Sequence, residues 1–317
     1  MRKFKLRDPV AKRMKGLENS SFIKEQASLV PSTDVRPAES GFSIVKPEDF
    51  HVIYRTDIGL IRKSNQDAII FGNGIFGVAD GMGGHNGGET ASAGARDGMI
   101  RETAHQDRTG ENLDAAIRKV NLELWEKQLG DADLSGMGTT LTVLWPSRSH
   151  MLIGHVGDSR AYLLRNGEFR LITDDHSIVA DMVRKGILTE EQAACHPMRN
   201  YITRAVGTET DIHADILSVP RAPGDRWLVC SDGLHGTVGF DQLRELMSSC
   251  DLDEAADQMI RDALDHGGRD NISLVIIEDL TGGSSGVVPV VTDNPQSSEN
   301  SAQPISASEK ETEVAAE

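Results

Sequence analysis

The chain has 317 residues, of which 38% are hydrophobic and 26% are charged, and its formal net charge is −16 at pH 7. This excess of acidic residues argues against general binding to nucleic acid and is compatible with either solubility or cation binding. The three cysteines are widely spaced and form no CxxC pair, which indicates neither a disulfide framework nor a cysteine zinc site, so we expect the reducing cytoplasm.

The two ends of the chain differ in composition from its middle. Residues 1–48 begin with a strongly basic stretch, and the apolar core of a signal peptide does not follow it. Residues 281–317 are rich in Ser, Pro, Gly, Asn and Glu and bury too little apolar area to offset the entropy lost on ordering. We therefore expect a basic, partly disordered extension over 1–48, one folded domain over 49–280, and a disordered tail over 281–317. No apolar run reaches the roughly 20 residues of a membrane helix, so no membrane partner is expected.

The middle of the chain contains several apolar runs typical of strands. In chain order, strands are predicted in FHVIYRTDIGL, QDAIIFGNGIFGVAD, TTLTVLWPS, HMLIGHVGDSRAYLLRNG, GDRWLVCSDG and NISLVIIEDL. Asn166-Gly167 lies between two strand-like flanks and predicts a hairpin, which indicates antiparallel pairing.

Amphipathic segments between these runs predict helices. They cover 88–104, 111–129, 240–249 and 252–267. Asn112 is the expected cap of the second helix, and a glycine ends the fourth. Because strands come in consecutive runs and helices in pairs, the sequence favours an α+β fold.

Glycine is concentrated beside one aspartate, Asp80. In VADGMGGHNGGETA, five of the eight residues from Gly81 to Gly88 are glycine. Glycine loses more conformational freedom on folding than other residues, so such a cluster indicates a sharp turn or a close approach of the main chain to a ligand. His85 and Glu89 have the spacing of a helical metal pair, but the glycines between them favour a loop.

Aspartates recur where predicted strands begin, bend or end: Asp67, Asp80, Asp158, Asp232 and Asp270. Strands bring distant residues together, so these acids could meet at one mouth of a sheet. Carboxylates gathered in that way repel one another unless a cation lies between them. Oxygen ligands favour Mg²⁺ or Mn²⁺ over zinc, and two such ions about 4 Å apart activate a water for phosphoester hydrolysis. The alternative for each Asp-Gly pair is an ordinary turn.

At this point the motifs resemble a known family, the metal-dependent protein serine/threonine phosphatases of the protein phosphatase 2C type in their bacterial form. The matching segments occur in family order over residues 52–278: GLIRKSNQDA, VADGMGGHNGGETAS, GMGTTLT, HVGDSRAYL, LITDDHS, RAVG, GDRWLVCSDGL and GGRDNISLVII. The resemblance implies two central antiparallel sheets packed as a sandwich and flanked by helices on both sides, a four-layer αββα arrangement.

The resemblance also implies a metal site for two Mn²⁺ or Mg²⁺ ions. Asp80 corresponds to the bridging carboxylate and Gly81 to the main-chain carbonyl ligand. Asp232 and Asp270 correspond to the other carboxylates on the first ion, and Asp67 serves the second ion directly or through water. Bacterial members have a third, weaker metal site. Asp158 corresponds to the residue that contributes to this site, with Asp232 as its partner.

Arg62 corresponds to the phosphate-binding arginine of the family, and its alternative is a structural salt bridge. Eukaryotic members carry a candidate acid, histidine, at the position of Met82. The leaving alkoxide of the substrate needs a proton, and in this chain either His85 in the same loop or a metal-bound water is left to supply it.

The segment near 177–206 resembles the mobile flap of bacterial members, and its alternative is an ordinary helical insertion. Asp174 and Asp175 are interpreted as structural, Cys230 as a core residue, and Ser231 and Ser159 as packing and hydrogen-bonding residues.

The expected activity is hydrolysis of phosphoserine and phosphothreonine in proteins by a metal-activated water, without a phosphoenzyme. Family analogy implies a Ser/Thr kinase as a partner besides the phosphorylated proteins, and a monomer is expected. A pseudophosphatase is the non-enzyme alternative, and the intact acidic set argues against it. Phosphate transfer from ATP is excluded because GxxxxGK[ST] does not occur.

Overall fold

The strands of the protein form two antiparallel sheets that pack face to face. The structure, a computed structural model, describes residues 49–83 and 87–281. The expected N-terminal extension, the tail beyond Thr281 and His85 lie outside the described residues. The described strands are β1 (Phe50–Asp57), β2 (Asp67–Gly72), β3 (Ile75–Met82), β4 (Gly138–Thr139), β5 (Leu141–Pro146), β6 (His150–Val156), β7 (Arg160–Arg165), β8 (Glu168–Leu171), β9 (Asp215–Pro220), β10 (Arg226–Cys230) and β11 (Ile272–Asp279).

Sheet 1 has the strand order β1-β11-β10-β7-β8, and sheet 2 has the order β2-β3-β5-β6-β9 with β4 paired to β3. The described helices are α1 (Gly87–Glu102), α2 (Gly110–Gly130), α3 (Ile178–Arg184), α4 (Glu190–Ala194), α5 (Asp232–His235), α6 (Phe240–Met247) and α7 (Leu252–Asp265). None of the helices in the described part of the chain has the length and apolar character needed to cross a membrane.

Three layers of apolar side chains separate the four layers of secondary structure. Along β10, Trp227 and Val229 face sheet 2, whereas Leu228 faces the helices α6 and α7. Along β5, Leu144 faces sheet 1, whereas Val143 packs with α1 and α2. This alternation follows from the two-residue period of a strand and places helices outside each sheet. The predicted α+β, four-layer αββα sandwich is confirmed.

Two Asn-Gly turns set the register of two hairpins. Asn166 and Gly167 have φ of 53° and 81° and join β7 to β8, which confirms the predicted hairpin. Asn73 and Gly74 have φ of 50° and 73° and join β2 to β3. Positive φ at both central residues is the requirement of a type I′ turn, which matches the twist of the paired strands.

Several local details differ from the sequence prediction. The run QDAIIFGNGIFGVAD contains two strands, β2 and β3, and the run HMLIGHVGDSRAYLLRNG contains β6 and β7, which lie in different sheets. Thr109, not Asn112, caps α2, because the Thr109 side chain in its extended conformation accepts the Asn112 N–H at 3.1 Å. The edge strand β9 was not predicted. β10 ends at Cys230, so Asp232 begins the short helix α5 instead of ending a strand.

The interface between the sheets generates a stability prediction. Leu144 is fully buried there, so Leu144→Ala should reduce the free energy of unfolding by about 2–5 kcal/mol through lost burial and a residual cavity. Chemical denaturation of the purified protein measures this change. Leu129→Ala is the matched control because Leu129 in α2 is 69% exposed, and it should change stability by less than about 0.5 kcal/mol. Equal losses in the two variants would contradict the assignment of Leu144 to the core.

Candidate active site

Several strands begin or end at one end of the sandwich. In sheet 1, β11 begins beside the end of β1, and β7 begins beside the end of β10. In sheet 2, β2 begins opposite the end of β3, so that Asp67 pairs directly with Asp80. The short connection 157–159 runs from β6 in sheet 2 to β7 in sheet 1 and joins the two sheets at this end. We call this region the acidic end.

The five aspartates singled out in the sequence lie in elements that meet at the acidic end. Asp67 is the first residue of β2, and Asp80 lies two residues before the end of β3. Asp158 lies in the connection from β6 to β7, and Asp232 is the first residue of α5. Asp270 lies two residues before β11. The structure thus brings these residues together, and their individual roles stay predictions.

Burial and mutual repulsion perturb the protonation of this group. Burial is the largest cause, and it raises the pKa of Asp67 and Asp158 to about 6 and the pKa of Asp232 to about 8. The pKa of Asp80 is raised well above its usual range by burial and then by the charges of Asp67 and Asp232. Each carboxylate therefore makes the ionised form of its neighbours less favourable. A divalent cation among them would reverse this effect.

Two buried carboxylate oxygens point to the same chemistry. Among the described residues, Oδ1 of Asp67 and Oδ1 of Asp232 are buried and have no hydrogen-bond partner. A buried acceptor left unpaired costs about 1–3 kcal/mol, so such an atom in a native site calls for an ion or water. The orphan oxygens and the all-oxygen donor set therefore fit a hard divalent cation.

The described residues of the acidic end do not surround a metal ion with protein side chains alone. No three His, Cys, Asp or Glu side chains in the described parts of the chain form a ready-made metal cluster. Mg²⁺ usually keeps several waters among its ligands, whereas structural zinc needs four close protein ligands. The acidic end therefore fits Mg²⁺ or Mn²⁺ better than zinc.

Gly81 permits an unusually close approach of main-chain segments. A Cβ at this position would lie 2.0 Å from the Gly88 carbonyl oxygen and 2.6 Å from that of Gln66. The Gly81 N–H donates to the Gln66 carbonyl at 3.0 Å. Any side chain would push these segments apart, so glycine is required for packing here. Its carbonyl as a metal ligand stays a prediction.

Arg62 lies beside the acidic end with its side chain about half exposed. Its Nη2 donates to Oδ2 of Asp270 at 2.5 Å. The salt bridge left open as an alternative is therefore present. A guanidinium has five N–H donors, so this contact leaves further donors for a phosphoryl group. Phosphate binding by Arg62 stays a prediction.

Hydroxyl groups form hydrogen bonds with the two paired aspartates, Asp67 of β2 and Asp80 of β3. Ser231 Oγ donates to Oδ2 of Asp67 at 2.8 Å and accepts the N–H of Ser273 at 3.0 Å. The N–H of Asp80 donates to Thr140 Oγ1 at 2.9 Å, and that oxygen lies 2.8 Å from Ser159 Oγ. The hydrogen-bonding roles expected of Ser231 and Ser159 agree with these contacts. Thr140 and Ser273 were not predicted.

Asn271 was also missed by the sequence reasoning. Its side-chain oxygen accepts the N–H of Gln66 at 2.8 Å, and its Nδ2 donates to the carbonyls of Ile58 and Ser64 at 2.9 and 3.0 Å. These bonds fasten the loop that carries Arg62 to the loop that carries Asp270. The only sequence signal was a polar residue at the entrance of an otherwise apolar strand.

Cys230, Asp175 and Met82 lie near the aspartates of the acidic end in sequence or in space. Cys230 is fully buried, and burial raises the pKa of its thiol to about 12, which agrees with a core residue and not a nucleophile. Arg160 donates to both carboxylate oxygens of Asp175 at 2.9 and 2.8 Å, which agrees with a structural role for Asp175. Met82 is partly buried at the end of β3.

The segment expected to form a flap contains α3 and α4. It is joined at its base by an isolated bridge between Ser177 and Ile202. The buried His176 precedes it, and its N–H donates to the carbonyl of Gly157 beside Asp158 at 2.7 Å. The base of the segment therefore lies against the acidic end, and a role in substrate access stays a prediction.

Known proteins are similar to this chain in fold and in sequence. A serine/threonine phosphatase stp of Listeria monocytogenes is 39% identical over 246 residues, which cover 73% of this chain and 97% of that protein. The crystal structure of the serine/threonine phosphatase PstP/Ppp of Mycobacterium tuberculosis has a TM-score of 0.69 and 36% identity, and the match covers 73% of this chain and 98% of that one.

A further solved structure is the catalytic domain of the serine/threonine protein phosphatase PstP in complex with two manganese ions. It has a TM-score of 0.68 and 33% identity, and the match covers 73% of this chain and 98% of that one. The family described as protein phosphatase 2C matches residues 62–272. The two-sheet sandwich is thus shared with serine/threonine phosphatases of known structure, and the chain belongs to the protein phosphatase 2C family.

The raised pKa values predict how pH affects the metal-free protein. Between the usual carboxyl pKa near 4 and about 8, the folded chain holds protons that the unfolded chain releases. The contribution of these protonated carboxyls to the free energy of unfolding is fully present below about pH 4. It is lost as the pH rises through the folded-state pKa values of about 6 and then about 8. In the presence of chelator, the free energy of unfolding should therefore fall from pH 5 to pH 8, by about 1.4 kcal/mol per pH unit for each proton involved.

Denaturation curves at several pH values measure this slope. Asp232→Asn removes one of the groups and should make the slope shallower by up to about 1.4 kcal/mol per pH unit between pH 5 and pH 7. Asp241→Asn is the matched control, because the Asp241 side chain in α6 is 85% exposed. A slope unchanged by Asp232→Asn would contradict a perturbed Asp232 carboxyl.

Proposed function

We propose that this chain hydrolyses phosphoserine and phosphothreonine in proteins with the help of two divalent ions, Mn²⁺ or Mg²⁺, at the acidic end. The observation that carries the proposal is the convergence of five aspartates, four of which have raised pKa values, beside a half-exposed arginine. The chain's membership of the protein phosphatase 2C family supports the same activity.

In this proposal the aspartates share the two ions. With the ions bound, Asp80 would be a ligand of both, Asp232, Asp270 and the Gly81 carbonyl would hold the first, and Asp67 would hold the second directly or through water. Asp158 and Asp232 would hold a third, weaker ion. The ions would supply positive charge and an acidified water as the nucleophile. The orphan oxygens of Asp67 and Asp232 support their part in this assignment.

The protein's own residues position the substrate and the carboxylates. Arg62 binds the phosphoryl oxygens through the guanidinium donors that Asp270 does not use. Ser231 orients the Asp67 carboxylate through its other oxygen, and Asn271 holds the Arg62 loop in place. His85 remains our candidate for the proton donor to the leaving hydroxyl. Cys230 takes no part as a nucleophile, since it is buried and its thiol is protonated.

We also propose the wider setting of the enzyme. Its partners are phosphorylated proteins and a Ser/Thr kinase that acts on the same substrates, and the chain works as a monomer. The segment 177–206 opens and closes over the substrate. A cytoplasmic location is supported by the exposed, unpaired Cys195 and Cys250, which suit a reducing compartment.

The first test of this function removes one predicted ligand. Asp232→Ala should lower phosphate release from a phosphothreonine peptide by more than about 100-fold, because even residues that only support metal ligands cost 10–100-fold when changed. Chelator should stop the wild-type enzyme, and Mn²⁺ should restore the wild-type enzyme but not the variant. Asp241→Ala is the exposed control and should keep its rate. Peptide binding without phosphate release by the wild-type protein would instead identify a pseudophosphatase, and turnover unaffected by chelator would reject the metal mechanism.

The second test separates a phosphate-binding arginine from a structural salt bridge. Arg62→Ala should lower kcat/KM by about 10–150-fold, since hydrogen bonds to charged groups contribute about 1.5–3 kcal/mol. Arg62→Lys keeps the charge but loses the planar fork, so it should recover only part of that loss. Steady-state kinetics with a phosphothreonine peptide measure both variants. Arg244→Ala in α6 is the control, and full activity in Arg62→Ala would leave only the structural role.

A further inference from the structure

Two exposed aliphatic side chains directly precede the arginine of the acidic end. Leu60 is 65% exposed and Ile61 is 68% exposed, and they lie in the turn between β1 and β2. Single exposed apolar residues are common on protein surfaces and need no explanation. An adjacent pair next to Arg62 is different because of how its loop is held and where it lies.

The loop that carries this pair is fixed to the rest of the acidic end. The Leu60 N–H donates to the Gly268 carbonyl at 2.7 Å, and the Gly59 N–H donates to Asp57 Oδ1 at 2.7 Å. Gly59 has φ of 77°, and a Cβ there would lie 2.3 Å from the Asp270 carbonyl oxygen. Together with the Asn271 bonds, these contacts pre-organise the loop, so the apolar pair is presented at little further cost in conformational entropy.

The position of the pair relative to Arg62 selects what can cover it. Consecutive Cα atoms are 3.8 Å apart, so Leu60 and Ile61 lie within about 8 Å of Arg62 along the main chain. An extended peptide advances about 3.3 Å per residue. If Arg62 binds the phosphate, a side chain one to three residues from the phosphorylated residue reaches the aliphatic pair. The occupant is therefore the substrate segment itself.

We propose that Leu60 and Ile61 form a specificity surface that binds an apolar side chain of the substrate one to three residues from the phosphoserine or phosphothreonine. The proposal rests on the phosphatase function proposed above and adds the class of substrate that the site prefers. Burial of aliphatic surface against Leu60 and Ile61 favours such substrates, whereas a polar side chain at that point gains nothing from the contact.

The test uses two phosphothreonine peptides that differ in the residues flanking the phosphothreonine. One peptide carries Leu, and the other carries Ser, at the first three positions on each side. With Mn²⁺ and the full chain, the wild-type enzyme should show kcat/KM about 10-fold higher for the Leu peptide. In Leu60→Gln/Ile61→Gln this ratio should fall to about 1–2. The Cγ of Leu60 lies close to Gly268, since a Cβ built on Gly268 would be 3.0 Å from it. Glutamine also has a Cγ, so the variant retains this contact.

A matched control separates this surface from a general loss of apolar residues. Leu280→Gln changes a leucine that is 47% exposed at the opposite end of β11, and it should keep the wild-type ratio. The single variant Ile61→Gln should lower the ratio in the same direction, which covers the case in which the double variant does not fold. A wild-type ratio near 1, or a ratio unchanged in the folded double or single variant, overturns the specificity surface.

Failure of the proposed function gives a separate result. Para-nitrophenyl phosphate has no flanking residues, so its turnover with Mn²⁺ reports the chemistry alone. If the wild-type enzyme cleaves neither peptide nor this small ester, the phosphatase function is wrong. If it cleaves the small ester and both peptides at a ratio near 1, only the specificity surface is wrong.

Discussion

The repulsion among carboxylates at one end of the sandwich is the constraint on which the site depends. Burial and neighbouring negative charges raise the pKa of Asp67, Asp80, Asp158 and Asp232, so their ionised forms are unfavourable without a counter-charge. A fold stabilised only by its own contacts gains nothing from such a group. The unpaired carboxylate oxygens of Asp67 and Asp232 indicate that the group serves to bind divalent cations, for which carboxylate oxygens are suitable ligands.

The scaffold holds this group by strand register and by a small set of polar side chains. Antiparallel pairing places the beginning of each strand beside the end of its neighbour, so residues distant in sequence meet at one edge. Ser231 links β10 to Asp67 of the other sheet, and Asn271 joins two loops through three hydrogen bonds. These contacts lock side-chain positions that repulsion alone would spread apart. Precise ligand positions are what metal-assisted catalysis needs.

Chemistry and substrate recognition share one loop in this view. The turn from β1 to β2 carries Arg62, which faces the carboxylates, and directly before it two aliphatic residues that face solvent. The bonds that keep the guanidinium near Asp270 also keep the apolar pair in a fixed position. Under the proposed function, a substrate gains phosphate binding and side-chain contact from the same rigid element. The separate segment 177–206 is connected to the acidic end through His176 and Gly157.

The sequence by itself determined the α+β class, most elements and which aspartates lie at the ends of strands, because apolar periodicity and the Asn166-Gly167 turn are local signals. The order of the motifs along the chain determined the family resemblance. Tertiary structure decided what depends on distant partners. Thr109 instead of Asn112 caps α2 because the preceding main chain is extended there. The edge strand β9 is defined by its pairing with β6. The roles of Thr140, Ser273 and Asn271 arise only when separate strands and loops meet, since a hydrogen bond between residues far apart in sequence leaves no periodic pattern in either segment.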